Sequence, residues 1–250
     1  PSQLTLKKLW QDGFTDELPP NHPHTITVPG ACAGWCDLIE RHGHLELSAI
    51  LAPAIRLAKQ GFPVSPWTAQ IWQELIKNLS KASPASAELT ISGRGPQAGE
   101  IFYNPNLAHV LEQVASKGKS AFYHGEIARS IAQAVQDAGG VLSVQDLNDH
   151  SSTWEDPIHT TYRGVKIWEC PPNGQGLAAL IALNILEGFH LEEMPALSSQ
   201  RLHLEIEAMR LAFADARWFI SDMNFNDIPL TELLSKEYAK RRGALIDPFR

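Results

Sequence analysis

Residues 170–188 read CPPNGQGLAALIALNILEG, a turn rich in proline and glycine that leads directly into an apolar run. The turn, Cys170–Gly176, stands between a predicted strand and a predicted helix that begins near Leu177. Because a helix N-terminus offers unpaired N–H groups and a partial positive charge, backbone donors in this turn could bind a carboxylate or line a substrate cleft. A plain connection between strand and helix explains the same residues, and the sequence of the turn leaves both interpretations open.

The segments on either side of this turn have distinct patterns. Upstream, the β-type runs Pro157–Tyr162 and Val165–Glu169 flank Arg163-Gly164 and predict a hairpin. Downstream, the apolar spacing predicts a long helix over residues 198–220 and a last helix over residues 231–242. The turn therefore joins a small β element to a set of helices.

The first 150 residues predict a succession of helices whose ends are marked by capping residues, prolines and glycines. Starts are predicted at Gly30, Ser48, Ser65-Pro66 and Asn104-Pro105 and before Ile127, and ends at Gly43, Gly61, Gly118 and Gly139-Gly140. We find no internal repeat or low-complexity linker, and the pattern changes near Thr153. We expect one domain, or part of one, over residues 1–250.

Composition excludes several classes of protein. The 250 residues are 44% hydrophobic and 20% charged, as in ordinary globular proteins. The net charge of -7 and the scattered Lys and Arg residues disfavour a nucleic-acid-binding surface, and we expect no nucleic-acid partner. No apolar run reaches the roughly 20 residues needed to cross a bilayer, so we expect no membrane partner for this segment. Three cysteines are too few for a disulfide framework and are expected to be buried free thiols. The compartment stays undetermined.

A search for catalytic motifs finds no known signature. The histidines lack metal-ligand spacing, and no phosphate-binding loop, nucleophile elbow or zinc motif is present; we expect no metal or cofactor. On the predicted long helix, Glu207 and Arg210 are spaced to form an ion pair, and Ala208, Leu211, Ala214 and Trp218 are expected to form its apolar face. Asp215 and Arg217 need partners elsewhere, which indicates a structural polar network rather than catalysis.

A series of short motifs resembles the large-subunit region of the γ-glutamyltransferase (glutathione hydrolase) family. Each motif is weak by itself, but the order is specific and covers residue 20 to the C-terminus. The residues in these motifs are most similar to those of the glutathione hydrolase-like branch called YwrD-like. The motifs are residues 28–35 (VPGACAGW), 51–58 (LAPAIRLA), 61–64 (GFPV), 118–125 (GKSAFYHG), 139–140 (GG), 146–147 (DL), 162–164 (YRG), 171–176 (PPNGQG), 184–188 (NILEG) and 207–217 (EAMRLAFADAR).

The resemblance implies an α+β fold, part of the four-layer αββα fold of N-terminal-nucleophile hydrolases, with this segment mostly helical and carrying a few strands. It implies a precursor that cleaves itself before a threonine, which becomes the nucleophile at the start of a small subunit. The threonine hydroxyl attacks a γ-glutamyl carbonyl, its own α-amine acts as the base, and backbone N–H groups stabilise the oxyanion. The expected partners are therefore the small-subunit segment and a γ-glutamyl small molecule, without a cofactor.

The resemblance also implies what this chain lacks. It places the cleavage site beyond Arg250 and a substrate-binding arginine before Pro1, so we expect the segment to be incomplete at both ends and to carry no catalytic residue. Thr160-Thr161 lies too far upstream to be the cleavage site. The loop Pro171–Gly176 carries Asn173 and Gln175 where many relatives have small hydroxyl residues. Asn173, Gly174, Gln175 and Gly176 are the expected substrate-binding residues.

Two other functions remain open at this stage. A glutaryl or cephalosporin acylase has the same fold in this region, because its specificity depends on contacts outside it. A truncated scaffold or binding protein could keep these helices without the chemistry. By itself, the segment is expected to be inactive and poorly soluble, because unpaired strand edges and apolar faces would be exposed.

Overall fold

The computed structural model describes residues 1–82 and 84–247, and within them helices predominate over strands. The chain divides into two compact units, Pro1–Ser152 and Thr153–Arg250. The boundary coincides with the change of pattern near Thr153. The interpretation of residues 1–250 as one incomplete domain stays a prediction. The predicted final turn, 247–250, extends beyond the described residues.

The first unit is built mainly of helices. In chain order its elements are α1 (Leu6–Gln11), α2 (Ala31–His42), α3 (Leu47–Gln60), β1 (Phe62–Pro63), α4 (Pro66–Ala82), β2 (Ile101–Phe102), α5 (Pro105–Lys117), α6 (Ser120–Tyr123), α7 (Gly125–Asp137) and α8 (Val144–Asn148), with 3-10 turns at Pro23–Thr25 and Pro84–Leu89. Strands β1 and β2 pair antiparallel. The helix starts and ends predicted from the sequence are confirmed to within a few residues.

Local capping explains why these helices begin and end where they do. The Asn104 side chain accepts a hydrogen bond from the Leu107 N–H at 2.9 Å, which satisfies one of the free donors at the start of α5. Gly118, with a φ of 68°, ends the same helix in a conformation that glycine adopts without steric cost. These short-range rules are the reason that the sequence predicted the helix bounds.

Small side chains allow the helices of the first unit to pack closely. Its main core includes Ala33 of α2, Leu111 of α5, Ala128 of α7 and Leu147 of α8, all buried. The Tyr123 hydroxyl crosses this core, donating to the Pro29 carbonyl at 2.6 Å and accepting from the Ala33 N–H at 3.1 Å. The start of α2 is therefore attached to the end of α6.

The second unit has a β-hairpin followed by helices. Its elements are β3 (Ile158–Tyr162), β4 (Val165–Glu169), α9 (Gly176–Leu186), α10 (Ser199–Phe219), α11 (Leu230–Leu233) and α12 (Lys236–Gly243), with a 3-10 turn at Leu191–Glu193. Strands β3 and β4 pair antiparallel from Ile158 opposite Glu169 to Tyr162 opposite Val165. Arg163 and Gly164 both have positive φ, 50° and 80°, as a tight primed turn requires. The predicted hairpin is confirmed.

Helix α9 forms the centre of this unit. Its apolar residues surround the helix and are nearly all buried, among them Leu177, Leu180 and Ile181. Helices α10 and α12 and the hairpin all contact it. A helix that is apolar on every side must be covered on every side, so α9 organises the rest of the unit.

Two sequence predictions in this unit were wrong in detail. The buried face of α10 is Leu204, Ala208, Ala212 and Ala216, whereas Trp218, expected on the apolar face, is 84% exposed. The predicted helix over residues 231–242 is two helices, α11 and α12. They are separate because the Ser235 side chain accepts from the Tyr238 N–H and caps a new helix start.

Polar side chains fix the hairpin and α12 to α9. The buried side chain of Asn184 on α9 accepts from the Thr160 hydroxyl at 2.5 Å and donates to the Leu234 carbonyl at 2.9 Å. The Lys236 ammonium group at the start of α12 donates to Asn184 Oδ1 at 2.6 Å and Glu187 Oε2 at 2.5 Å. Thr160 is thus part of a structural network.

The partner that Asp215 was expected to need is Arg242 of α12. The two form an ion pair at 3.1 Å with side chains 9% and 20% exposed, and the same guanidinium group donates to the Leu211 carbonyl. The expected pair of Glu207 and Arg210 also forms, at 2.6 Å, but on the surface. The Asp215–Arg242 pair therefore joins α10 to α12, whereas the Glu207–Arg210 pair lies within α10.

Replacing Asp215 by alanine should destabilise the fold by about 2–3 kcal/mol, because the largely buried Arg242 cation would lose its partner. Chemical denaturation would measure the loss in unfolding free energy. The matched control is Glu207→Ala, which removes an exposed ion pair and should cost less than about 1 kcal/mol. Equal losses in the two variants would contradict the assignment of Asp215–Arg242 as a buried helix contact.

In the first unit, the stability of the loop held by Glu100 should depend on pH. Arg94 donates to both of its carboxylate oxygens, at 2.8 and 2.6 Å. This hydrogen bonding, aided by the Gln97 N–H, lowers the pKa of Glu100 to about 2. Because folding lowers the pKa of Glu100, the Arg94–Glu100 pair stabilises the folded loop fully at pH values above the ordinary pKa of the carboxyl group. This stabilisation is lost as the pH falls towards about 2. A carboxyl NMR titration should show that midpoint, and Arg94→Gln should return it towards about 4.5.

Candidate functional site

A cleft of about 620 Å³ lies at one end of the hairpin in the second unit. The strand register creates it, since Ile158 pairs with Glu169 and so brings the residues before β3 next to those after β4. The segment that follows α10 forms the remaining wall. The lining residues are Thr153, Trp154, Glu155 and Pro157 before β3, Cys170, Pro171, Pro172 and Asn173 after β4, and Asp222, Met223 and Asn224 after α10.

The four expected substrate-binding residues occupy different positions around this cleft. Asn173 is exposed and lines it. Gly174 and Gln175 are exposed on the turn, and Gly176 is the half-buried first residue of α9. The structure thus places one of the four in the cleft wall and three at the adjoining helix start.

The start of α9 lacks a side-chain cap, although the Ala178 N–H donates to the Gln175 carbonyl at 3.0 Å. Gln175 is the N-cap residue, and its side chain makes no capping hydrogen bond. The first N–H groups of a helix have no partner within the helix, and they carry a partial positive charge that favours anions. This geometry is compatible with carboxylate binding by the turn, which stays a prediction.

Gly176 leaves room for the close approach of the Glu169 side chain. A Cβ atom at this position would lie 2.6 Å from Glu169 Oε2 and 2.8 Å from Glu169 Cβ. At Gly174, by contrast, the nearest atom would be the Pro171 carbonyl oxygen at 4.0 Å. The second glycine of the pair, Gly176, therefore allows the end of β4 to pack against the start of α9.

The charged residues of the cleft are acidic. Glu155 and Asp222 are its charged lining residues, and both are exposed. Asp222 Oδ1 accepts from the Asn224 N–H at 2.8 Å, which shapes the turn after α10. Sequence reasoning missed Trp154, Glu155 and the segment 222–224 as site residues. The predicted hairpin register offered a signal for Trp154 and Glu155, since it places Pro157 near Cys170.

The cysteines differ in environment. Cys32 is buried, Cys36 is partly buried and Cys170 is exposed at the cleft, so the expectation that all three are buried was wrong for Cys170. Burial, followed by the effect of Cys36, raises the pKa of the Cys32 thiol to about 12. A thiol-specific reagent in the solvent should therefore react with the exposed Cys170 rather than with the buried Cys32.

Residues 1–82 and 84–247 contain neither a candidate metal centre nor a candidate membrane span. No group of three or more His, Cys, Asp or Glu side chains there could hold a metal ion. No helix in these ranges combines the length and apolarity needed to cross a membrane.

Large apolar side chains remain exposed on outer faces of both units. On α4, Trp67, Ile71 and Leu75 form an exposed stripe at helical spacing. On α10, Ile206 and Phe213 lie opposite the buried alanines and line a second cavity of about 600 Å³. Exposed apolar areas of this kind mark interaction surfaces in soluble proteins.

Comparison with known sequences gives a match along the whole chain. The sequence profile of the family described as gamma-glutamyltranspeptidase matches residues 1–250. The glutathione hydrolase-like YwrD proenzyme of Bacillus subtilis (strain 168) is 36% identical over 217 residues, which cover 86% of this chain and 41% of the relative. The chain thus spans about two fifths of the length of that curated relative.

Two solved structures are similar to this chain. The cephalosporin acylase from Bacillus halodurans has a TM-score of 0.89 at 36% identity, covering 99% of this chain and 47% of that one. The gamma-glutamyltranspeptidase of Helicobacter pylori has a TM-score of 0.84 at 29% identity, covering 94% and 69%. Both are N-terminal-nucleophile hydrolases, so the expected α+β fold class is confirmed.

The two glycines of the turn provide a matched test of the site geometry. Gly176→Ala should destabilise the protein by about 1–3 kcal/mol, because the new methyl group overlaps Glu169 and overpacking of this kind displaces the neighbouring backbone. Gly174→Ala has room and should change stability by less than about 0.5 kcal/mol. Thermal unfolding of both variants checks this; equal melting temperatures would contradict the close approach.

Proposed function

Because the chain belongs to the gamma-glutamyltranspeptidase family, we propose that it serves the hydrolysis or transfer of γ-glutamyl groups from glutathione-like compounds. The observation that carries the proposal is the family match over residues 1–250, joined to a 36% identical relative named as a glutathione hydrolase-like proenzyme. The whole protein would be an enzyme of the acyl-transfer type, with its chemistry performed by an N-terminal threonine outside this chain.

The reaction would proceed in two steps on that threonine. Its hydroxyl attacks the γ-glutamyl carbonyl, its α-amine takes the proton, and the amine part of the substrate leaves. Water or an acceptor amine then attacks the ester and releases the threonine. Neither step requires a metal or cofactor. This chain supplies no catalytic group in the scheme, and its task is to support and border the site.

The partner of this chain would be the small-subunit segment that carries the threonine. Support comes from the exposed apolar stripes of α4 and α10, which a water-soluble protein normally covers. Strands β3 and β4 each pair only with the other among the described residues, so their outer edges can accept further strands. A segment that supplies strands and apolar side chains would cover both features.

The turn after β4 would form one edge of the substrate site. Asn173 would reach the substrate from the cleft wall, while Gly174, Gln175 and Gly176 would present backbone N–H groups at the start of α9. The uncapped helix start supports this role, because such donors suit a substrate carboxylate.

A second candidate function, cleavage of glutaryl or cephalosporin amides, is favoured by one observation. The cephalosporin acylase structure is as similar in sequence, at 36% identity, as the glutathione hydrolase-like relative. A γ-glutamyl group differs from a glutaryl group by its α-ammonium group, so substrate comparison separates the two activities directly.

The full-length enzyme should hydrolyse a γ-glutamyl anilide at least about tenfold more efficiently than the matching glutaryl anilide, a difference of about 1.4 kcal/mol in transition-state binding. Replacement of the N-terminal threonine by alanine should abolish both activities and the precursor cleavage seen on a denaturing gel. The reverse preference would assign the acylase function. If the threonine variant kept both activities, the proposed mechanism would be overturned.

Asn173→Ala should raise KM for the γ-glutamyl donor about fivefold with little change in kcat, since one hydrogen bond contributes about 1 kcal/mol. Steady-state kinetics measure both constants. Glu193→Ala, an exposed residue on the turn before α10, is the control and should leave KM unchanged. An unchanged KM in the Asn173 variant would remove this residue from the substrate site.

A further inference from the structure

The turn after β4 contains the dipeptide Asn173-Gly174. Asparagine is among the thermally labile residues, because the backbone nitrogen of the following residue can attack its side-chain amide carbon. Glycine hinders that attack least, since it has no Cβ and its backbone adopts conformations closed to other residues. The chain has no second Asn-Gly dipeptide. The sequence therefore marks a single position of this kind, and it lies in the turn beside the cleft.

Both reacting groups of this dipeptide are accessible and unbonded. Asn173 and Gly174 are exposed, and the Asn173 side chain makes no hydrogen bond with any residue in the described ranges. Within the same ranges the Gly174 N–H has no acceptor. The attacking nitrogen must lose its proton, and a hydrogen bond would hold that proton in place. The fold thus leaves the reaction open at this turn.

Two other asparagines of the second unit are protected by their local structure. Asn224 is exposed in the same cleft, but the N–H of the next residue, Phe225, donates to the Asp222 carbonyl at 3.0 Å. Asn184 is buried in α9, and its amide is held by two hydrogen bonds. These residues are internal controls, because they share the solvent and temperature of Asn173 and differ in hydrogen bonding and in the residue that follows.

We propose that Asn173 is a site of spontaneous deamidation, which converts the neutral amide of the turn to a carboxylate. The Gly174 nitrogen attacks Asn173 Cγ, a new C–N bond forms, the Cγ–Nδ2 bond breaks, and ammonia leaves with the proton of the Gly174 N–H. The product is a cyclic succinimide. Water then adds to either ring carbonyl and opens the ring to aspartate or isoaspartate. The change consumes one water and releases one ammonia, without oxidation or reduction.

The new carboxylate would alter the start of α9. It would stand just before the N-cap residue, Gln175, whose side chain makes no capping hydrogen bond. The partial positive charge of a helix N-terminus favours a nearby anion. A carboxylate at position 173 would therefore compete with a substrate carboxylate for the same donors and repel it. This effect rests on the proposed γ-glutamyl function, whereas the deamidation itself does not.

The test incubates the full-length enzyme for several days at body temperature and mildly alkaline pH, in water enriched with the heavy isotope of oxygen. Peptide mass mapping should show that Asn173 becomes an acid carrying one heavy oxygen atom, while Asn224 and Asn184 keep their amides. A free peptide with the sequence of residues 171–176 is incubated in parallel as the reference. An intact Asn173 amide in the enzyme after the peptide has reacted would overturn the proposal.

Gly174→Ala is the matched variant. The added methyl group has room, since the nearest atom to a Cβ at this position is the Pro171 carbonyl oxygen at 4.0 Å, and it hinders the approach of the residue 174 nitrogen. The loss of Asn173 should slow at least about tenfold, which corresponds to about 1.4 kcal/mol in the barrier. Equal rates in the wild-type enzyme and this variant would contradict attack by the Gly174 nitrogen.

Kinetic measurements separate the modification from its effect on the substrate. In the wild-type enzyme KM for the γ-glutamyl donor should rise about two- to fivefold as Asn173 is lost, the range expected of exposed charges. Gly174→Ala, compared with its own fresh sample, should keep its KM over the same period. If the enzyme lacks γ-glutamyl activity but Asn173 reacts, the proposed function fails and the modification site stands. A constant KM in an active, fully deamidated enzyme would overturn the effect on substrate binding.

Discussion

The second unit depends on one constraint, the need to cover a helix that is apolar on all sides. Burial of α9 brings the hairpin, α10 and α12 around it, since each covers a different part of its surface. The single buried amide on this helix, Asn184, gives the otherwise non-directional packing a fixed register, because its hydrogen bonds are satisfied only when Thr160 and Leu234 lie in place. The cleft exists because the hairpin and α10 end together near the start of α9.

Local chemistry made much of the fold predictable. Capping side chains and glycines act over three or four residues, and they located the ends of α5 and the turn at Arg163-Gly164. The buried face of α10 was not predictable by the same means. That helix carries apolar residues on opposite faces, Ala208 on one and Ile206 on the other, and only its packing against α9 decides which face is buried. Periodicity identifies an apolar face but does not choose between two.

In the candidate site, too, some features follow from local sequence and others only from packing. The turn at residues 171–176 was predicted as a possible binding loop because its composition and position are local features. Trp154 and Glu155 meet the turn through the hairpin register, a local signal that was not used. Asp222 meets it only through the packing of α10, a long-range contact that the sequence does not reveal. The family resemblance predicted a chemistry whose nucleophile would lie outside this chain. Family membership thus supports the proposed reaction, and the cleft geometry supports the proposed substrate-binding turn.

The close approach of Glu169 to Gly176 limits how the loop can be redesigned. A side chain at position 176 would have to displace the side chain of Glu169, so substitutions there should cost stability. Positions 173 and 175 carry exposed side chains and can vary without touching the scaffold. An engineer who wishes to alter specificity should therefore randomise these two positions together with the facing wall and leave the second glycine untouched.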